Sequence, residues 1–206
     1  MNSLAELRKS AARQITGPIV QVISKSKVTP DVLTWIGLLI NIAAGVIIAY
    51  NHLIIGGVLV LVSGLFDILD GALARSTNKT TRFGALLDST FDRLSEAAIF
   101  IGLLILYIGK GEVLMPALVC LAMVGSFLTS YVRARAEGLG LDCQTGLFTR
   151  AERVIILVLG LMFSQILLIV VAILVMLSFV TVGQRMVHVW TETKKESVKT
   201  NGGEKQ

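Results

Sequence analysis

FDILDGALARSTNKTTRFGALLDSTFDR, residues 66–93, decides the reading of this chain. It carries four aspartates, Asp67, Asp70, Asp88 and Asp92, and apolar stretches lie on both sides of it. On helices the first two stand at i, i+3 and the last two at i, i+4, so each pair projects from a single face. The polar linker between them is short, which makes the two helices antiparallel neighbours whose acidic faces can meet. Carboxylates that converge in a low-dielectric site cannot all stay ionised unaided. A divalent cation resolves the conflict, and oxygen-only ligands favour Mg²⁺, Mn²⁺ or Ca²⁺ over zinc. Ion pairing with Arg75, Arg82 and Arg93 is the competing account. It explains one acid readily and four on matched faces poorly, because ionisable groups in a membrane are costly and mark function.

Working outward, the chain has 206 residues, 54% of them hydrophobic and 16% charged, with a mean hydropathy of +0.76. Soluble domains carry roughly 25% charged residues, so the excess apolar sequence implies a lipid-facing surface. Apolar spans are expected over 32–50, 53–74, 83–108 and 113–131. The stretch 153–182 is too long for one span and short for two, and it splits near Ser164-Gln165 into a short fifth and a longer sixth. Thr29 and Pro30 suit a helix start before the first span. Residues 1–28 place Leu4, Leu7, Ala11 and Ile15 at helical spacing among Arg8, Lys9 and Arg13. That pattern predicts a juxtamembrane amphipathic helix, either on an anionic membrane face or packed beneath the domain itself. No signal peptide is expected, and residues 191–206 read as a disordered polar tail.

Basic residues alternate along this map. Arg8, Lys9, Arg13, Lys25 and Lys27 precede span one, and none separates spans one and two. Arg75, Lys79 and Arg82 lie between two and three, Lys110 alone between three and four, and Arg133, Arg135, Arg150 and Arg153 between four and five. The five-to-six turn has none, and Arg185 and the tail lysines follow span six. The expectation is therefore an all-α integral membrane protein of the plasma membrane. It has six transmembrane helices over 29–190, a juxtamembrane helix before them and both termini cytoplasmic. All four aspartates then sit at cytoplasmic helix ends. Trp35 and Trp190 lie near predicted helix ends, where they would anchor at the interface. Cys120 and Cys143 lack metal or disulfide spacing, and His52 and His188 receive no role.

The spacing Asp67-x2-Asp70-Gly71-x2-Ala74-Arg75-x8-Gly84-x3-Asp88-x3-Asp92 resembles the signature of the CDP-alcohol phosphotransferases at every position. These membrane enzymes move a phosphatidyl-type group from a CDP-linked lipid to an alcohol and release CMP. The resemblance implies two Mg²⁺ ions, with Mn²⁺ as an alternative, held by Asp67, Asp70, Asp88 and Asp92. It makes Asp92 the catalytic base. It also implies a CDP-lipid pocket of Gly71, Ala74, Arg75, Thr81 and Gly84. From the residues alone, Gly71 lets a ligand approach the backbone, and Gly84 reads better as a helix-packing position.

A second stretch, Ser130 to Ile156, concentrates arginines on the expected aspartate face and suits an anionic acceptor. With TRFGALLDSTFDR and GQRMVHVW it looks like the phosphatidylinositol-phosphate synthases of actinobacteria. That likeness implies CDP-diacylglycerol as donor and inositol 1-phosphate as acceptor. It also implies a pocket of Ser130, Arg133, Arg150, Arg153 and Arg185, membrane lipids as surroundings and a homodimer, with no nucleic acid involved. Arg133 stands where that group has lysine, and Ala151 where it has proline. Alternatives are glycerol 3-phosphate as acceptor, or an archaeal CDP-ether lipid as donor. An ion-coupled transporter would put acids at the midplane in interrupted helices, and neither feature is present. A membrane prenyltransferase would share Asp-x-x-Asp pairs but not the Gly71, Ala74, Arg75 spacing.

Overall fold

A computed structural model describes residues 29–76, 81–143, 145–146 and 149–203. Every element among them is helical: α1 (Pro30–Ala49), α2 (Leu53–Ser76), α3 (Arg82–Gly109), α4 (Leu114–Gly138), α5 (Arg150–Met162), a 3₁₀ turn (Ser164–Ile166) and α6 (Leu167–Gly203). The juxtamembrane helix expected over 1–28 lies outside the described residues. The chain divides into two compact units, residues 1–106 and 107–206.

In the first unit, Pro30 sits in the opening turn of α1, as its fixed φ favours. Thr29 holds the N-cap position with extended backbone, but its side chain makes no cap bond. The helix ends at Tyr50, and Asn51 turns the chain at φ 66°, a left-handed conformation that asparagine tolerates. The amide of His52 closes this end on Ile47 O at 3.2 Å. A turn this short forces α2 back along α1. At the turn end Gly56 faces Ile48. At the other end Leu33 and Leu73 form a buried pair with Phe66, Leu69 and Ala72 packed on it. Helix α3 meets α1 at Trp35 and Phe91, whose rings lie edge-on at 4.5 Å. Further along, Gly45 and Gly102 bring the two backbones together, and a side chain at either would collide with main-chain atoms of the other helix.

In the second unit α4 packs on α6 where Gly125 faces Ser178 and Phe179. Helix α5 packs on α6 where Gly160 faces Leu167 and Val170. Leu157, Val158, Leu161, Val171 and Leu174 fill the core. The predicted break near Ser164-Gln165 falls on the 3₁₀ turn. Helix α5 opens with Thr149-x-x-Glu152, and the Glu152 carboxylate accepts from the Thr149 amide at 2.7 Å. That satisfies one of the amides a helix start leaves open.

Four helical segments among the described residues are long and apolar enough to cross a membrane: Pro30–Ala49, Leu53–Ser76, Leu114–Gly138 and Ser164–Lys195. Leu39, Ile54, Ile105 and Ile169 on the helix surfaces are exposed, as lipid-facing side chains would be. Two of the six expected spans differ from the other four. Helix α3 has the length, but Arg82, Asp88, Asp92, Arg93 and Glu96 crowd its N-terminal part, residues 82–96. Helix α5 has 13 residues and extends about 20 Å, short of the roughly 30 Å hydrocarbon core. A disordered polar tail is expected from residue 191. Helix α6 continues to Gly203, because residues 191–201 contain no proline or glycine to stop a helix already nucleated upstream. Lys195 pairs with Glu192 at 2.7 Å on this extension.

Candidate active site

In the first unit the last turns of α2 carry Asp67 and Asp70, and the first turns of α3 carry Asp88 and Asp92. Asp70 is buried at 5% exposure. The Thr34 hydroxyl of α1 donates to its Oδ2 at 2.8 Å. Asp67 is half-buried beside Gly37, where a Cβ would lie 3.2 Å from Asp67 Oδ1. Asp67 and Asp88 both lie within electrostatic reach of Asp70. Asp88 is exposed. Asp92 is half-buried, with the Arg93 guanidinium 3.6 Å from its Oδ2. Arg93 also donates to the Ser89 carbonyl on its own helix.

Among the described residues no three acids, histidines or cysteines are drawn together as a preformed metal cage. The donor set nevertheless fits a hard divalent cation. It is all oxygen, two further carboxylates act on Asp70, and Mg²⁺ binds through few carboxylates while keeping positions for water and substrate phosphate.

The glycines take different parts. Arg75 folds back over Gly71, and its Nη1 lies 3.2 Å from where a Cβ would stand. A guanidinium therefore lies over side-chain-free backbone next to Asp70, which suits a phosphate. Ala74 lies on the same turn, half-buried. Thr81 caps α3, accepting the Gly84 amide at 2.8 Å. The neighbours of Gly84 are polar: a Cβ there would stand 3.0 Å from Thr81 Oγ1 and 3.8 Å from Asp31 Oδ1. Asp31 belongs to the first turn of α1, so Gly84 lies near that helix, while main-chain contact between α1 and α3 is made at Gly45 and Gly102.

In the second unit the arginines separate by environment. Arg153 is buried at 5%, and its Nη2 donates to Ser126 Oγ at 3.1 Å. Arg185 is buried at 7%; its Nε donates to Thr145 O at 2.8 Å and its Nη1 to Thr129 O. Arg133 is exposed and pairs with Glu137 at 2.8 Å. Arg133 and Arg153 both lie within electrostatic reach of Arg185, as does the Glu137 carboxylate that pairs with Arg133. Arg150 opens α5 and Ser130 follows Thr129 on α4; both are half-buried. Such an accumulation of guanidinium groups suits bidentate binding of a phosphate. A cavity of about 630 Å³ lies alongside, lined by Thr145, Gly146, Gly183, Gln184, Val187 and His188. His188 Nε2 contacts Asp142 O at 3.1 Å, a structural tie absent from the sequence reading.

Sequence reasoning missed Thr34, Asn41 and Ser63. The Asn41 amide donates to Ser63 Oγ at 2.6 Å, and Ser63 Oγ donates to Gly37 O at 2.9 Å. The signal open to it was Thr34, Gly37 and Asn41, polar or small residues at i, i+3 and i+7 in an otherwise apolar helix, which put them on one face.

Residues 27–197 match the CDP-alcohol phosphatidyltransferase family. The archaetidylinositol phosphate synthase of Methanothermobacter thermautotrophicus is 40% identical over 80% of this chain and 84% of its own. The phosphatidylinositol phosphate synthase of Mycobacteroides abscessus is 38% identical over 77% of this chain and 73% of its own. The solved Mycobacterium tuberculosis phosphatidylinositol phosphate synthase with CDP-DAG bound superposes with a TM-score of 0.80 at 35% identity, covering 86% of this chain and 94% of that one. The same enzyme in complex with manganese and citrate gives 0.78 at 36%, covering 85% and 89%.

Proposed function

We propose that this chain, which belongs to the CDP-alcohol phosphatidyltransferase family, transfers the phosphatidyl group of CDP-diacylglycerol to inositol 1-phosphate. The products are phosphatidylinositol phosphate and CMP. The observation that carries the acceptor choice is the gathering of Arg133, Arg153 and Arg185 in the second unit, which supports a phosphorylated alcohol over a neutral one.

Residues of the first unit serve the donor. Arg75 holds a phosphate over the bare backbone of Gly71, with Ala74, Thr81 and Gly84 beside the nucleotide. Asp67, Asp70, Asp88 and Asp92 would hold Mg²⁺ or Mn²⁺, which when bound supplies neutralising charge to the pyrophosphate. Asp92 accepts the proton of the acceptor hydroxyl. The freed oxygen attacks the phosphorus that carries diacylglycerol, the bond from that phosphorus to the bridging oxygen breaks, and the electron pair leaves with CMP. Residues of the second unit serve the acceptor: Arg133, Arg150, Arg153 and Arg185 bind its phosphate, and Ser130 bonds a ring hydroxyl.

The alternating basic residues support six spans with both termini and the aspartates cytoplasmic. The same reading takes a homodimer as the working unit. The 40% identical archaeal relative favours one second reading, in which the donor carries ether-linked chains. The test is CMP release by the purified protein with Mg²⁺. CDP-diacylglycerol and a CDP-activated diether lipid are each offered inositol 1-phosphate, glycerol 3-phosphate and free inositol. Release with inositol 1-phosphate alone is expected, and release confined to glycerol 3-phosphate overturns the acceptor.

A further inference from the structure

Helices α1 and α2 face each other in a fixed antiparallel register of polar contacts. Thr34 meets Asp70, Gly37 meets Asp67, and Asn41 meets Ser63. Beyond the last of these, Ile48 meets Gly56 and the seam becomes apolar. Each step along α1 of three, four or seven residues is matched by the same step back along α2, so one helix face reads the other rung by rung. The two upper rungs touch the carboxylates proposed for the metal. None of Thr34, Gly37 and Asn41 belongs to the aspartate motif.

Thr34 is 8% exposed and Asp70 5%. A threonine hydroxyl has one proton to give. Two acceptors are in range, Asp70 Oδ2 at 2.8 Å and Pro30 O at 3.1 Å. An ionised carboxylate outcompetes a neutral carbonyl, so the proton goes to Asp70. That uses one of the roughly four acceptor positions of a carboxylate, and Asp70 keeps others for a cation. At Gly37 the requirement is space: even a methyl group there would stand 3.2 Å from Asp67 Oδ1 and 3.5 Å from Ser63 Oγ.

We propose that Thr34 is a positioning residue that sets the Asp70 carboxylate for divalent-cation binding, with the bare Gly37 giving the Asp67 carboxylate room beside α1. This rests on the metal reading given above. Hydrogen-bond partners of metal ligands typically change affinity by about 10- to 100-fold when removed, and Thr34 occupies that position for Asp70.

The test measures Mn²⁺ affinity directly, from the electron paramagnetic resonance signal of free Mn²⁺ titrated with the full chain in detergent, without substrate. Thr34→Val keeps the shape and removes the donor; it is expected to bind Mn²⁺ about ten-fold more weakly. Thr34→Ser restores the donor and is expected to restore the affinity. Asn41→Leu breaks the lower rung away from the carboxylates, and is expected to lower the melting temperature with Mn²⁺ affinity kept. If Thr34→Val does not fold, Thr34→Ala against Thr34→Ser makes the same comparison. Wild-type affinity in the donor-less variant, or an equal loss in Asn41→Leu, overturns the proposal while the metal reading stands. Absence of Mn²⁺ binding by the unaltered protein removes both.

Discussion

Asp92 and Arg150 illustrate how far single residues can be assigned. Asp92 is the acid proposed to take the proton of the acceptor hydroxyl, so Asp92→Asn should lower turnover by about 10²- to 10⁴-fold. CDP-diacylglycerol binding should survive, measured by retention of the labelled lipid on the detergent-solubilised protein. Turnover near wild type would move the base elsewhere. Under the proposed acceptor pocket, Arg150→Ala would remove a charge-assisted contact of about 1.5–3 kcal/mol. It should raise the KM for inositol 1-phosphate roughly 10- to 100-fold and leave the KM for the lipid unchanged. At this scale the acids were legible because charges at helical spacing in apolar sequence have few innocent explanations. Thr34 was not, since a threonine in an apolar helix acquires meaning only from its partner 36 positions on. The differing situations of Arg153, buried against Ser126, and Arg133, exposed beside Glu137, were likewise closed to a reading that saw four similar cations.

Elements were read from periodicity and punctuation, with matching success. The break between the fifth and sixth helices was visible at Ser164-Gln165, while Thr149-x-x-Glu152, which spells the start of α5, went unread. The helical extension to Gly203 was hidden because a polar composition says little about a segment whose nucleation cost is met by the span before it. Which glycines bring helices together was also hidden. Gly84 was singled out on sequence position and lies near Asp31 of α1, while Gly45 and Gly102, which were not singled out, join α1 to α3 at the backbone. Gly102→Val should therefore cost about 1–3 kcal/mol through overpacking, read as a lower melting temperature in detergent. Gly64→Ala, where the surroundings are open, should leave the melting temperature within about 0.5 kcal/mol equivalent of wild type.

For the whole molecule, composition alone placed the chain in a membrane, and the charge in α3 and the shortness of α5 account for the two helices that depart from a plain span. The family follows from a motif whose spacing is that of two helices facing each other, and the match over residues 27–197 agrees with it. Removing divalent ions with a chelator should abolish CMP release while leaving the helical circular dichroism unchanged, since burial and helix packing hold the fold without the ion. The central claim is that Asp67, Asp70 and Asp88 converge on a divalent cation beneath the donor pyrophosphate. Crystals grown with CDP-diacylglycerol and Mn²⁺, recorded at the manganese edge, test it most directly. Anomalous peaks within ligand distance of those carboxylates and the pyrophosphate oxygens are predicted. Bound lipid with no peak there, and the acids paired to arginines instead, would contradict it.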